Sequence, residues 1–288
     1  MKLGKALRII EKVLTAEDPS VRRIPVLLLG SPGIGKTAGI RYLAQKHGYD
    51  FVQELISRKR PEYLEGIMVP STSGQYDGNR IAKFVATDLY RKITRSDKVV
   101  VLFDELTTAP PSILNAALTI LSDYEVAGNK LEHDVVFIAA GNTVSTGTAY
   151  VEPLRASVST RFLVLNVEPD FEYLVEEGLL HKLYAPEVVA YLLYKPQHYF
   201  SLAQEDVVGD TTAVQITTPR GWELVSRLLK HTIVTEELLR GIIGTVAGDF
   251  HNFLTQYNVK SVQNKKDEKE VPEPLRPYWD YLKKISRG

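Results

Sequence analysis

The chain has 288 residues, 44% apolar and 24% charged, an ordinary globular usage that excludes a disordered or fibrous polymer. Its 35 Lys and Arg balance 35 Asp and Glu, so it lacks the basic charge of a dedicated nucleic-acid binder. No cysteine occurs, which excludes disulfides, thiolate nucleophiles and Cys-ligated metal centres within it and makes a cytoplasmic address the default.

Charges at Lys2, Lys5, Arg8, Glu11 and Lys12 interrupt the apolar core a signal peptide needs. No apolar run approaches the ~20 residues of a membrane-spanning helix, so no membrane partner is expected. Leu3, Leu7, Ile10, Val13 and Leu14 recur at helical spacing and predict an amphipathic helix over residues 1–15, broken at 16–20. The short apolar run 24–29 reads as a buried strand, 37–45 as a helix stopped near Gly48, and 51–56 as a second strand. Residues 71–78, rich in Ser, Gly and Thr, read as a loop and 84–93 as a helix.

The β-branched run 99–103 predicts a third buried strand, and Pro110-Pro111 opens a helix over 112–121. Strands at 135–140 and 162–167 complete an α/β pattern, a five-stranded parallel sheet with helices on both faces. After Pro169 only helical periodicity persists. The expected division is therefore an α/β domain over 1–170, a small all-α domain over 171–257, and a polar tail over 258–288. In that tail, 260–277 reads as a solvated linker, with a short docking helix around Trp279, Tyr281, Leu282 and Ile285.

Gly30-Ser31-Pro32-Gly33-Ile34-Gly35-Lys36-Thr37 fits the P-loop pattern G-x-x-x-x-G-K-[ST] at every fixed position, directly after a strand and opening a helix. Its glycines let successive backbone N–H groups turn around phosphate oxygens, and the helix N-terminus adds unpaired donors. Lys36 supplies a point charge to the terminal phosphates and Thr37 a hydroxyl to Mg²⁺. The strand 99–103 ends in Asp104-Glu105, which places two acids at the carboxyl edge of the sheet. Asp104 suits Mg²⁺, a hard cation that takes oxygen ligands, and Glu105 suits a general base for the attacking water. Small GTPases position water with Gln and read guanine through Asn-Lys-x-Asp. Here Asn129-Lys130-Leu131-Glu132 only approximates that tetrad and precedes a strand, so ATP is the expected nucleotide.

Three further residues complete a resemblance to the AAA+ ATPase superfamily. Asn142, after the 135–140 strand, is similar to the sensor-1 residue. It would touch water and terminal phosphate if its strand lies between those of the loop and Asp104. Arg161, in the segment Leu154-Arg155-Ala156-Ser157-Val158-Ser159-Thr160-Arg161-Phe162, is similar to the arginine finger that reaches a neighbouring subunit's nucleotide. Arg155 reads as a second contact in trans or as a helix-surface arginine, the latter slightly favoured. Arg220, in Thr217-Thr218-Pro219-Arg220, is similar to the sensor-2 arginine of the helical lid.

Within the superfamily the chain resembles the MoxR-like and dynein-related group, on Pro61-Glu62-Tyr63-Leu64-Glu65-Gly66-Ile67-Met68-Val69-Pro70, Phe103-Asp104-Glu105-Leu106-Thr107-Thr108-Ala109, Glu125-Val126-Ala127-Gly128 and Ile138-Ala139-Ala140-Gly141-Asn142. It departs from the group at Tyr63, where an Asp is usual. The resemblance implies a homo-oligomeric ring, usually a hexamer, that hydrolyses ATP to remodel a protein. A von Willebrand A-type protein is the implied kind of partner. The alternative is a nucleic-acid motor or loader on the same engine, against which the neutral charge argues. The six histidines show no metal-ligand spacing, and Arg58-Lys59-Arg60 reads first as a solvated basic loop.

Overall fold

The computed structural model describes residues 1–76, 79–142, 160–201, 216–231, 234–262, 265 and 267–286. It divides into two compact units, Met1–Pro32 with Lys36–Glu168, and Gly33–Gly35 with Pro169–Gly288. Among the described residues the strands are β1 (Val26–Gly30), β2 (Asp50–Leu55), β3 (Ile67–Tyr76), β4 (Asn79–Val85), β5 (Lys98–Asp104), β6 (Glu125–Val126), β7 (Asn129–Lys130), β8 (Asp134–Gly141) and β9 (Leu163–Val167).

Five of these form the parallel sheet of the first unit in the order β2-β5-β8-β1-β9. Parallel strands covered on both faces read as unbroken apolar runs, and Val99 to Phe103 and Val135 to Ala140 are buried throughout. Phe137 packs at the sheet's centre against Phe103 and Tyr124, with ring centroids 5.7 and 5.3 Å away. Because the strands are parallel, Gly30, Asp104 and Gly141 all end on one edge. β8 lies between β1 and β5, the placement that Asn142's expected role requires.

The helices of this unit are α1 (Leu3–Leu14), α2 (Pro19–Arg22), α3 (Lys36–Lys46), α4 (Pro61–Glu65), α5 (Asp88–Ile93) and α6 (Pro111–Asp123). The expected apolar face of α1 is buried, and it approaches α3 closely at Gly39. A Cβ there would lie 2.7 Å from Leu7 Cδ1. Across the same pair, Glu11 accepts from Lys46 Nζ at 2.9 Å and contacts His47 Nε2 at 2.8 Å.

Residues 71–76, expected as loop, are strand. β3 and β4 form an antiparallel hairpin with Ile67 opposite Val85 and Met68 opposite Phe84. Ser and Gly are poor strand formers, but antiparallel pairing of adjacent segments satisfies backbone groups without help from side chains. Residues 77 and 78 lie outside the described residues. The same pairing removes Phe84 and Val85 from the helix expected over 84–93. Helix α5 starts only after Thr87, whose hydroxyl accepts from the Tyr90 backbone N–H at 3.2 Å.

The second unit is helical, with α7 (Phe171–Glu176), α8 (Leu180–Leu183), α9 (Pro186–Tyr194), α10 (Pro219–Leu228), α11 (Glu236–Ile243), α12 (Ala247–Gln256), α13 (Val259–Val262) and α14 (Arg276–Ile285). Its centre is aromatic. The Tyr191 ring lies 5.7, 4.9 and 5.3 Å from Trp222, Phe250 and Phe253. The segment 260–277, expected to be solvated, instead buries Val262, Val271 and Leu275 in this core. Three widely spaced apolar residues anchor a segment that its average polarity assigns to solvent. Trp279 and Tyr281 of α14 pack in the same cluster. Among the described residues no helix is long and apolar enough to cross a membrane.

Candidate functional site

The loop between β1 and α3 has the backbone its glycines permit. Gly33 and Gly35 have φ of 75° and 100°, a region costly for residues with a Cβ. Lys36 opens α3 and is only 8% exposed, its chain folded back over the loop. Its Nζ donates to Gly30 O at 2.8 Å, to Ser31 O at 2.9 Å and to Asn142 Oδ1 at 3.4 Å. The ammonium thus lies between the start of the loop, at Gly30 and Ser31, and Asn142. The neighbouring Thr37 hydroxyl donates to Asp104 Oδ2 at 3.0 Å. Four residues named from sequence, Lys36, Thr37, Asp104 and Asn142, therefore meet at the carboxyl edge of β1, β8 and β5.

Glu105 follows the strand with φ 58° and ψ 36°, a left-handed conformation rare for a residue with a side chain. Such strain costs on the order of 1–3 kcal/mol and concentrates at working sites. The turn swings its carboxylate toward Ser57, whose Oγ donates to Glu105 Oε2 at 2.6 Å. Asn142 is fixed from behind, its backbone N–H donating to Thr107 Oγ1 at 3.0 Å. Gln53 of β2 donates from Nε2 to Asp104 Oδ2 at 2.9 Å.

The sequence assigns Ser57, Thr107 and Gln53 no individual role. The available signal was polarity in the wrong place, since Gln53 and Glu54 interrupt a strand of a parallel sheet, where apolar residues are expected. Glu54 is 2% exposed and holds three donors: Tyr63 Oη at 2.7 Å, Lys92 Nζ at 2.7 Å and Lys59 Nζ at 2.9 Å. Burial raises its pKa, but these hydrogen bonds outweigh burial and hold it below 4.5. The Tyr63 hydroxyl is pushed up to about 12 by burial and by donation to Glu54. Lys59, read as part of a solvated basic loop, is instead engaged with Glu54 and lies over the Tyr63 ring.

Arg161 is exposed in the turn before β9, and Arg220 is exposed in the first turn of α10 in the second unit. Thr218 caps α10, its hydroxyl accepting from the Gly221 N–H at 3.1 Å. Arg155 lies outside the described residues.

Residues 25–162 match the family model of the AAA domain, dynein-related subfamily. The curated relatives include the chaperone protein ClpB of Malacoplasma penetrans, 22% identical over 74% of this chain and 32% of that protein. ClpB of Nitratidesulfovibrio vulgaris is 27% identical over 60% of this chain and 21% of its own length. ClpB of Wolinella succinogenes is 33% identical over 36% and 12%. The chain thus spans about a third or less of the curated relatives it matches. A solved chain from Cytophaga hutchinsonii, described as a candidate ATPase, covers 88% of this chain and 89% of its own at 14% identity and a TM-score of 0.39. Residues 25–162, just under half of the chain, are thus similar to the AAA domain of that subfamily.

Proposed function

We propose that this chain is a Mg²⁺-dependent AAA+ ATPase module of the MoxR-like group, working as a homo-oligomeric ring, a hexamer by resemblance, to remodel a protein partner in the cytoplasm. The observation that carries the reading is the convergence of Lys36, Thr37, Asp104 and Asn142 on one edge of the sheet. The residues fit the implied ligands. The glycine backbone at 33 and 35 opens a cradle for phosphate, and Thr37 with Asp104 presents the hard oxygen donors that Mg²⁺ prefers. When bound, Mg²⁺ supplies charge neutralisation to the transferring phosphoryl group.

The chain's own residues divide the remaining work. Lys36 and the loop from Gly30 to Thr37 bind and orient the phosphates. Thr37 and Asp104 hold the metal position. Glu105 accepts the proton of the attacking water once its carboxylate leaves Ser57, and Asn142 orients that water. Arg161, exposed before β9, serves the neighbouring subunit's site, where a planar cation stabilises developing charge. Arg220 reports nucleotide occupancy to the helical unit. The partner is a protein, a von Willebrand A-type protein being the kind the resemblance implies. ClpB's description as a chaperone supports the remodeling class.

The test separates binding from turnover. Wild type binds ATP and hydrolyses it with Mg²⁺, whereas Lys36→Ala loses binding. Glu105→Gln keeps binding and loses about 10²–10⁴-fold in turnover, the usual contribution of a general base. Undiminished turnover by Glu105→Gln would contradict the assignment.

A further inference from the structure

Asp104 accepts three hydrogen bonds. Thr37 Oγ1 and Gln53 Nε2 donate to Oδ2 at 3.0 and 2.9 Å, and the Glu105 backbone N–H donates to Oδ1 at 3.0 Å. Thr37 belongs to the phosphate loop and Glu105 is the next residue, but Gln53 comes from another strand and was given no role in the proposed chemistry.

Its amide is fixed at both ends. Gln53 Oε1 accepts from Arg41 Nη2 at 2.9 Å. A guanidinium can only donate, so this contact selects the orientation that turns the NH₂ toward Asp104. A flipped amide would set Oε1 against the carboxylate and NH₂ against the cation, losing both bonds. Arg41 lies on α3, one helical turn after Thr37, with its guanidinium 5.0 Å from the Phe51 ring centroid. The Gln53 backbone is held as firmly. β2 pairs with β5 so that Gln53 lies opposite Leu102 and Leu55 opposite Asp104, and Glu54 is locked by Lys59, Tyr63 and Lys92.

We infer that Gln53, oriented by Arg41, is a positioning residue for the metal-holding carboxylate of Asp104. The inference rests on the reading of Thr37 and Asp104 as the Mg²⁺ position. Two donors from different elements hold Oδ2 in one place before metal arrives, so less ordering remains at binding. Without Gln53 the carboxylate keeps its charge and loses that constraint. Metal affinity then falls, while metal-free nucleotide binding does not.

The experiment titrates Mn²⁺ by electron paramagnetic resonance into the full chain with a non-hydrolysable ATP analogue, so no turnover enters the readout. Wild type is compared with Gln53→Leu, Arg41→Met and the double variant, and metal-free analogue binding verifies that each site is folded. The half-saturating Mn²⁺ concentration rises about tenfold in Gln53→Leu, the lower end of the loss that follows removal of a hydrogen-bond partner behind a metal-holding group. It rises less in Arg41→Met, and the double variant matches Gln53→Leu because Arg41 acts through Gln53. Affinity of Gln53→Leu within twofold of wild type, or additive effects of the two changes, overturns the inference. A wild type that binds Mn²⁺ with the analogue leaves the Asp104 reading standing in that case. A wild type that binds no Mn²⁺ overturns that reading and the inference together.

Discussion

Glu105 and Ser57 show how much one residue's surroundings decide. A carboxylate that accepts a 2.6 Å hydrogen bond from a hydroxyl must give that bond up before it can turn to water. Ser57→Ala removes that competitor. Basal ATP turnover is expected to rise about fivefold, the factor that corresponds to a net hydrogen bond of about 1 kcal/mol. Unchanged turnover would mean that the bond is lost at no cost during each cycle.

Glu54 gives a second prediction at this scale. Its pKa is held below 4.5 in the folded chain, so it contributes stability that is present above 4.5 and lost as pH falls through its folded value. Glu54→Gln is expected to cost about 2 kcal/mol at neutral pH, below the range for a fully buried pair because Lys92 is 41% exposed. The gap in melting temperature between wild type and variant narrows as pH drops below 4.5. A gap constant down to acid pH would show that the charge of Glu54 is not what the clamp uses.

Among elements, the strand ends hold the proposed chemistry, and their supports are tightly packed. Gly141 ends β8 beside the turn carrying Thr107, and a Cβ there would clash with Thr107 Cγ2. Gly141→Ala must displace Thr107 and with it the hydroxyl that receives the Asn142 N–H. A loss of about 1–3 kcal/mol in unfolding free energy is expected, together with reduced turnover. Wild-type turnover in a destabilised variant would separate packing from the placement of Asn142.

The five sheet strands and the loop at Gly30 were legible in the sequence because both are written locally, as apolar runs and as spaced glycines. The β3–β4 hairpin was not. Its composition resembles a loop, and the information lies in pairing between Ile67–Val69 and Lys83–Val85 rather than in either segment. Ser57, Gln53 and Thr107 were hidden for a related reason. Each acts across strands or turns, and nothing in its own neighbourhood of sequence marks the partner. The burial of Val262, Val271 and Leu275 likewise depends on a core assembled from distant helices.

At the scale of the whole molecule, the account turns on whether one chain suffices. Arg161 is exposed before β9, and in the proposed ring it serves a neighbouring subunit's site. If sites are shared, neither an acid-defective nor an arginine-defective chain can work alone, yet a mixture restores some interfaces with an intact acid and an intact arginine. The most direct measurement is therefore ATP turnover against protein concentration for wild type, Glu105→Gln, Arg161→Ala and an equimolar mixture of the two variants. Turnover per chain is expected to rise with concentration in the wild type, to be lost in each variant and to recover partly in the mixture. Turnover independent of concentration and unaffected by Arg161→Ala would contradict this expectation and leave a self-contained ATPase.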